Sequence, residues 1–136
     1  MIGEIISILA GDAYVTQLVN ASNIYAIQRK QGSSVPSVTV DLLDVRTNET
    51  KTRSSDLDFV TMQVIAYHDN PRGSYLIAQA CRDALDNYFG TFGNPRERIE
   101  IRFDDLETGI IPDDETFATV ANYMVTVTRE AQDRHS

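Results

Sequence analysis

The sequence predicts an α+β domain with a mainly antiparallel sheet of about four strands, one face of which is covered by helices. Three observations carry that prediction. Strand-like segments come in pairs, 38–45 with 57–67 and 96–107 with 117–128. Strands that follow one another without an intervening helix pair most simply as antiparallel hairpins. One long amphipathic helix separates the two pairs. The chain has 136 residues, one domain's length, enough to bury roughly two-thirds of its unfolded surface without a metal or disulfide.

The elements follow in chain order. Ile2, Ile5, Ile6 and Leu9 recur at helical spacing, Gly11 is placed to end that helix, and Asp12 to cap a second. Tyr14, Val15, Leu18 and Val19 continue an apolar face. A short extended piece over 24–27 leads into the loop QRKQGSSVPS. In the first strand Val38, Val40 and Leu42 share one face, with Thr39, Asp41 and Leu43 on the other. Segment 46–56, RTNETKTRSSD, has no hydrophobe and reads as a flexible hairpin arm. In the second strand Val60, Met62, Val64 and Ala66 point one way. Asn70-Pro71 starts the long helix, as cap and first helical residue. Its stripe is Leu76, Ile77, Ala80, Cys81, Ala84, Leu85 and Tyr88, and Gly90 is the expected stop before a TFGNP loop. Ile99, Ile101 and Phe103 point inward from the third strand, and TGIIPDDE is an acidic, turn-rich loop. Phe117, Tyr123, Val125 and Val127 share a face of the last strand. Residues 129–136 read as a polar C-terminal tail.

Composition narrows the function. Twenty acids against twelve bases, net −8, argue against a general nucleic-acid binder and against docking on anionic lipid. A single cysteine, Cys81, excludes an intrachain disulfide, and with two histidines it leaves too few ligands for structural zinc. The N-terminus lacks a basic leader and Glu4 interrupts its apolar run, so it makes a poor signal peptide. No segment reaches the roughly 20 apolar residues of a membrane helix. The expectation is a soluble intracellular protein.

Catalytic groups are scarce. His68 beside Asp69 is the best acid–base pair, against the plainer reading of a strand-end residue helping the cap at Asn70. Cys81 sits on the apolar stripe and reads as core. Asp104-Asp105 and Asp113-Asp114-Glu115 lack the alternation of a calcium loop, and the glycines stand apart from any phosphate-loop pattern. No catalytic residue, cofactor or metal is expected. Arginine outnumbers lysine ten to two, a skew suited to bidentate contacts at protein interfaces.

Several of these segments, taken together, resemble a known family. MIGEIISILAGDAYVTQLV followed by IYAIQRKQGSSVPSVTV is similar to the opening of tail-completion or tail-terminator proteins of long-tailed bacteriophages. There a helical pair with a Gly-Asp break leads into an "IYP…Q…PYV"-like segment. Here Ile24-Tyr25-Ala26, Gln31 and Pro36-Ser37-Val38 correspond, with Ala26 in place of a proline and Ser37 in place of an aromatic. VTMQVIAYHDNPRGSYLIAQACRDALD resembles the family's strand-to-helix passage and YMVTVTRE its closing strand, so the resemblance spans about residues 1–130. It implies an α+β structural virion protein in the tail or neck, assembled in the host cytoplasm. Such proteins form a ring, usually a hexamer, at the head-proximal end of the tail tube. They end tube polymerisation and join the tail to the head connector. The expected partners are further copies of the chain, the tail-tube protein and the connector or stopper protein. DNA is expected to pass through the bore without specific binding, and no membrane is involved. Two rival readings are another head–tail connector or minor tube protein, and a small enzyme or ligand-binding domain built around His68 and Asp69. The expected interface groups are Arg46, Lys51 and Arg53 of the arm against Asp113, Asp114 and Glu115 of the acidic loop, as complementary faces of neighbouring subunits.

Overall fold

A computed structural model describes residues 2–26, 35–47, 55–92, 97–111 and 116–130. Helix α1 (Ile2–Ala10) buries Ile5 and Leu9, one turn apart. It ends where Gly11 N–H donates to Ser7 O at 2.9 Å. Asp12 then caps α2 (Ala13–Leu18): its Oδ1 accepts from Tyr14 N at 2.9 Å and Val15 N at 3.1 Å. The expected four-residue apolar face on α2 is half correct. Val15 and Val19 are buried, whereas Tyr14 is 71% exposed and Leu18 lies beside it in the open. Tyr14 and Leu18 form their own i,i+4 pair, about 100° round the helix from Val15 and Val19.

A 3-10 turn (Ala21–Asn23) leads into β1 (Ile24–Ala26). The longer strands are β2 (Ser37–Thr47), β3 (Ser55–His68), β5 (Glu97–Ile111) and β6 (Thr116–Glu130). Between β3 and β5 lie α3 (Pro71–Leu85) and β4 (Phe89–Phe92). The sheet therefore has six strands rather than about four, in the order β1-β2-β3-β6-β5-β4. Its antiparallel core is as expected, but β1 pairs with β2 in parallel.

The expected loop at TFGNP begins instead as β4. Helix α3 stops before Gly90, because Asn87 takes the left-handed turn at φ 63°. Asparagine tolerates that conformation better than most residues. Asn87 N–H then donates to Ile101 O at 2.8 Å and Ile101 N–H to Tyr88 O at 2.9 Å, which lays the chain along β5. Gly90 becomes a strand residue.

The core lies between the helices and one sheet face. Val60, Met62, Val64 and Ala66 of β3 and Ala121, Tyr123, Val125 and Val127 of β6 form its floor. Ile77, Cys81 and Leu85 of α3 press on it, and Ile5 and Leu9 extend it under α1. Leu76, expected in the stripe, is 41% exposed, and Ser74 and Ala78 take the buried positions. Two polar clamps fix α3. At its start Ser74 Oγ donates to Pro71 O at 3.0 Å, lies 2.8 Å from Thr119 Oγ1, and Thr119 lies 2.8 Å from Thr108 Oγ1. Each hydroxyl has one proton, so Thr119 donates to Ser74 and Thr108 to Thr119. At its end Asp86 Oδ1 accepts from Phe103 N at 2.9 Å, and the Arg82 guanidinium stacks 3.9 Å over the Phe103 ring. Phe103 in turn meets Tyr123 edge to face, with centroids 5.6 Å apart.

Thr119→Val leaves Ser74 and Thr108 each one partner short and should cost about 1–2 kcal/mol. Thr119→Ser should retain most of the stability. Denaturant unfolding of the two variants checks this, and equal midpoints would show that the relay contributes nothing.

Candidate functional site

Of the six expected interface residues, Arg46 falls in β2, opposite Phe59 of β3. Lys51, Arg53, Asp113, Asp114 and Glu115 lie outside the described residues. Their flanks are placed, however. β2 runs to Thr47 and β3 begins at Ser55, so the basic segment leaves the sheet at one end. Ile111 pairs with Thr116 at the other end, where the acidic segment leaves. The register carries this across the sheet: Thr47 is level with Asp58, Val127 and Ile99, while Ser37 is level with Tyr67, Ala118 and Gly109.

The side strands are unequal. β1 pairs with β2 across 38–40, and β4 with β5 across 97–100. The β5 edge is satisfied for two more donors, Ile101 N by Tyr88 O and Phe103 N by Asp86. Among the described residues no strand pairs with that edge from Asp105 to Ile111, or with the outer edge of β2 from Asp41 to Thr47. Both outer strands carry a bulge near these stretches, Leu42/Asp44 in β2 and Phe103/Asp105 in β5. Bulges commonly end pairing at sheet edges. The Asp104-Asp105 pair is explained here: Asp104 is the extra residue of the bulge.

The sheet face turned away from the helices is mixed. One row across it reads Asp41, Gln63, Asn122, Asp105. Gln63 Nε2 donates to Asn122 Oδ1 at 3.3 Å, and Asn122 Nδ2 to Asp105 Oδ1 at 2.8 Å. Glu100 and Glu107 share this face with Arg98 and Arg102, Arg102 pairing Glu100 at 2.9 Å. Phe59 and Met124 are exposed on it. Sequence reasoning missed β4 and with it Phe89, 63% exposed with the Arg98 guanidinium 6.0 Å over its ring. The signal was an aromatic at each end of FGTF, obscured by the glycines within and after it.

His68 stands at the mouth of α3. Its Nδ1 lies 2.8 Å from Asp69 Oδ1 and 3.2 Å from Asn70 N. The two contacts need opposite states of that nitrogen, donor to the carboxylate or acceptor from the amide. The ring rests on Gly73, where an added Cβ would lie 2.5 Å from His68 Cγ. Asn70 Oδ1 meanwhile accepts from Gly73 N as the helix cap. This is the plainer of the two readings, a residue built into the helix entrance. A surface recess lies elsewhere, along Gly3, Glu4, Ser7 and Ile8 of α1. Cys81 is buried in the core as expected. Burial, with the Asp12 charge adding to it, pushes its thiol from 9.0 up to about 12.

Comparison with known proteins adds two matches. The sequence pattern of the family described as tail completion protein gp17 fits residues 3–128. In structure, the chain is similar to a chain of the virion of a native gene transfer agent particle, with 18% identity, 91% of each chain covered and a TM-score of 0.68. That likeness concerns the fold. No curated protein matches the sequence.

Two tests follow from the local geometry. Gly73→Ala should destabilise by about 1–3 kcal/mol although alanine is the better helix former, because the His68 ring must move. His68→Ala in the same chain should recover most of that loss, and additive melting shifts would refute the contact. The folded state disfavours the Cys81 thiolate. The resulting stabilisation is fully present below pH 9.0, the unfolded thiol's value, and is lost as pH rises towards about 12. Iodoacetamide at pH 8 should therefore leave the native thiol unmodified and alkylate it fully in denaturant. Fast native labelling would contradict its burial.

Proposed function

Because this chain belongs to the tail completion protein gp17 family, we propose that it closes into a ring, a hexamer, at the head-proximal end of a phage tail, where it ends tail-tube growth and joins the tube to the head connector. The family match over residues 3–128 carries this reading. The chemistry of the molecule supports it: its distinguishing features are strand edges and charged faces. The function this favours is assembly, with the chain acting as a structural part of the virion.

A ring of identical copies needs a contact between two different surfaces that repeats and closes. The two ends of the sheet differ, so the ring has two unlike rims, one for the tube and one for the connector. The basic set Arg46, Lys51, Arg53 and the acidic set Asp113, Asp114, Glu115 remain the proposed charged contacts. Because their flanks stand at opposite ends of the sheet, the two sets belong to opposite rims of a level ring, as contacts to the tube and the connector. Contacts between copies at one level then fall to the strand edges. Six copies at −8 each carry −48 formal charges. With the helix-free face towards the bore, Asp41, Asp105, Glu100 and Glu107 line the passage and keep DNA from adhering.

Sedimentation with and without magnesium, followed by imaging, tests the reading. Six copies of a 15.2 kDa chain give a closed species of about 91 kDa, seen as rings. Long tubes would transfer the chain to the tube-protein role, and a monomer that also fails to cap purified tails would overturn the proposal. Lys51→Ala with Arg53→Ala should weaken attachment to the tail and flatten its salt dependence. Tight binding of duplex DNA at physiological salt would contradict the acidic bore.

A further inference from the structure

The two short strands sit at diagonal corners of the sheet. β1 projects beside one end of β2, at the level of Val38 to Val40, and among the described residues no strand lies along the rest of that edge, which forms a recess beside it. β4 projects beside the opposite end of β5, at the level of Glu97 to Glu100, and among the described residues no strand lies along the other half of that edge, which forms a recess beside it. The two outer profiles are steps of opposite sense. Directions agree as well. β1 runs parallel to β2, while β5 runs antiparallel to β2 through the β3 and β6 pairings. β4 is antiparallel to β5, so β1 and β4 point the same way.

We propose that neighbouring copies of this chain interlock these steps, β1 of one copy and β4 of the next stacking end to end as a single column between β2 of the first and β5 of the second. The proposal rests on the ring reading above and specifies its interface. Each copy supplies half of a strand that neither completes alone. The column is antiparallel to β5 along its length and parallel to β2, so it continues the sheet from copy to copy with no rise along the strands. A contact without rise closes into a ring, whereas one with rise builds a helix.

Charge selects this occupant over the alternatives. The inserting segments IYA and FGTF carry no charge, while the recessed edges carry Asp104, Asp105 and Glu107 on β5 and Asp41, Asp44 and Arg46 on β2. Pairing one β5 recess with another sets acid against acid, which like-charged cross-strand neighbours resist. Register supplies the partners. Tyr25, Thr39, Ile65, Val120 and Glu107 share one row, and Phe89, Glu100, Thr126, Phe59 and Arg46 share another. Continuing the rows without rise sets Tyr25 beside the next copy's Glu107 and Arg46 beside the next copy's exposed Phe89. Each copy contributes five columns at ~4.8 Å, so six copies place the sheet on a circle on the order of 45 Å across.

Cysteine cross-linking of the full chain tests this, since opposed strand residues lie within disulfide reach. Two double variants join opposite edges, Tyr25→Cys with Glu107→Cys and Arg46→Cys with Phe89→Cys. Tyr25→Cys with Arg46→Cys places both thiols on one edge. Buried Cys81 stays out of the oxidation. The opposite-edge variants should give ladders that reach the closed species on non-reducing gels, and the same-edge variant none. Mixing Tyr25→Cys protein with Glu107→Cys protein should yield a dimer that neither gives alone. The two opposite-edge pairs probe different halves of the column, so loss of folding in one leaves the other decisive. Rings of full mass with no ladder from either pair would overturn this interface and leave the ring reading standing. Dimers from the same-edge variant would overturn this interface, and a chain that stays monomeric without a ladder and also fails to cap purified tails would overturn both.

Discussion

The structure depends on one antiparallel seam, the pairing of β3 with β6. All fourteen residues of β3 are matched, from Ser55 with Glu130 to His68 with Phe117, without a break in register. The strands outside it each contain a bulge, and both bulges flank the same row of the seam, where Met62 meets Tyr123. A regular centre between two outer strands that gain twist at one level bends the sheet around α3. The helix has little freedom in that position. Ser74 is tied to Thr119 of the seam, and Asp86 to the bulged strand at Phe103. Tyr123 fills the space between, its phenol pushed upward in pKa by burial and its hydroxyl without a hydrogen-bond partner. An unpaired buried hydroxyl costs about 1–3 kcal/mol, which the surrounding aromatic packing offsets.

Much of this was legible in the sequence because it is written in local chemistry. Asp12 and Asn70 announce their helices by capping, and Pro71 by its fixed φ. Alternation in 57–67 and 117–128 identifies the seam strands and their buried faces. What escaped depends on distant partners. The short extended piece at 24–27 was foreseen, but not its parallel pairing with β2. β4 exists because Asn87 turns the chain three residues earlier than Gly90 would. The bulges leave no mark in a period-two pattern. The seam itself joins the second strand to the last, a sheet order that nearest-neighbour hairpins do not specify. For the candidate site, the burial of Cys81 and the capping role of His68 could be read from neighbouring residues. The strand edges could not, since an edge is a property of the finished sheet.

Membership of a tail-completion family changes what counts as a functional residue. The groups that matter need not react. They must present shape, charge and unsatisfied backbone to the next molecule. Charged residues on edge strands, such as Asp105 and Glu107 of β5, resist indiscriminate pairing, a recurrent device in β proteins. The same edges offer backbone donors and acceptors to any segment whose outline and charge are compatible.

The long seam also sets an order of events in time. The hairpins β2–β3 and β5–β6 close over short stretches of chain, whereas His68 and Phe117 meet only after roughly fifty intervening residues, including all of α3, are brought into a loop. Loop-closure entropy makes such contacts slow to form, so the hairpins take shape first and the seam zips afterwards, trapping the helix as it closes. A nascent chain holds its first hairpin unpartnered until the last strand has been synthesised. The speed of folding is thereby tied to the arrival of the C-terminal strand.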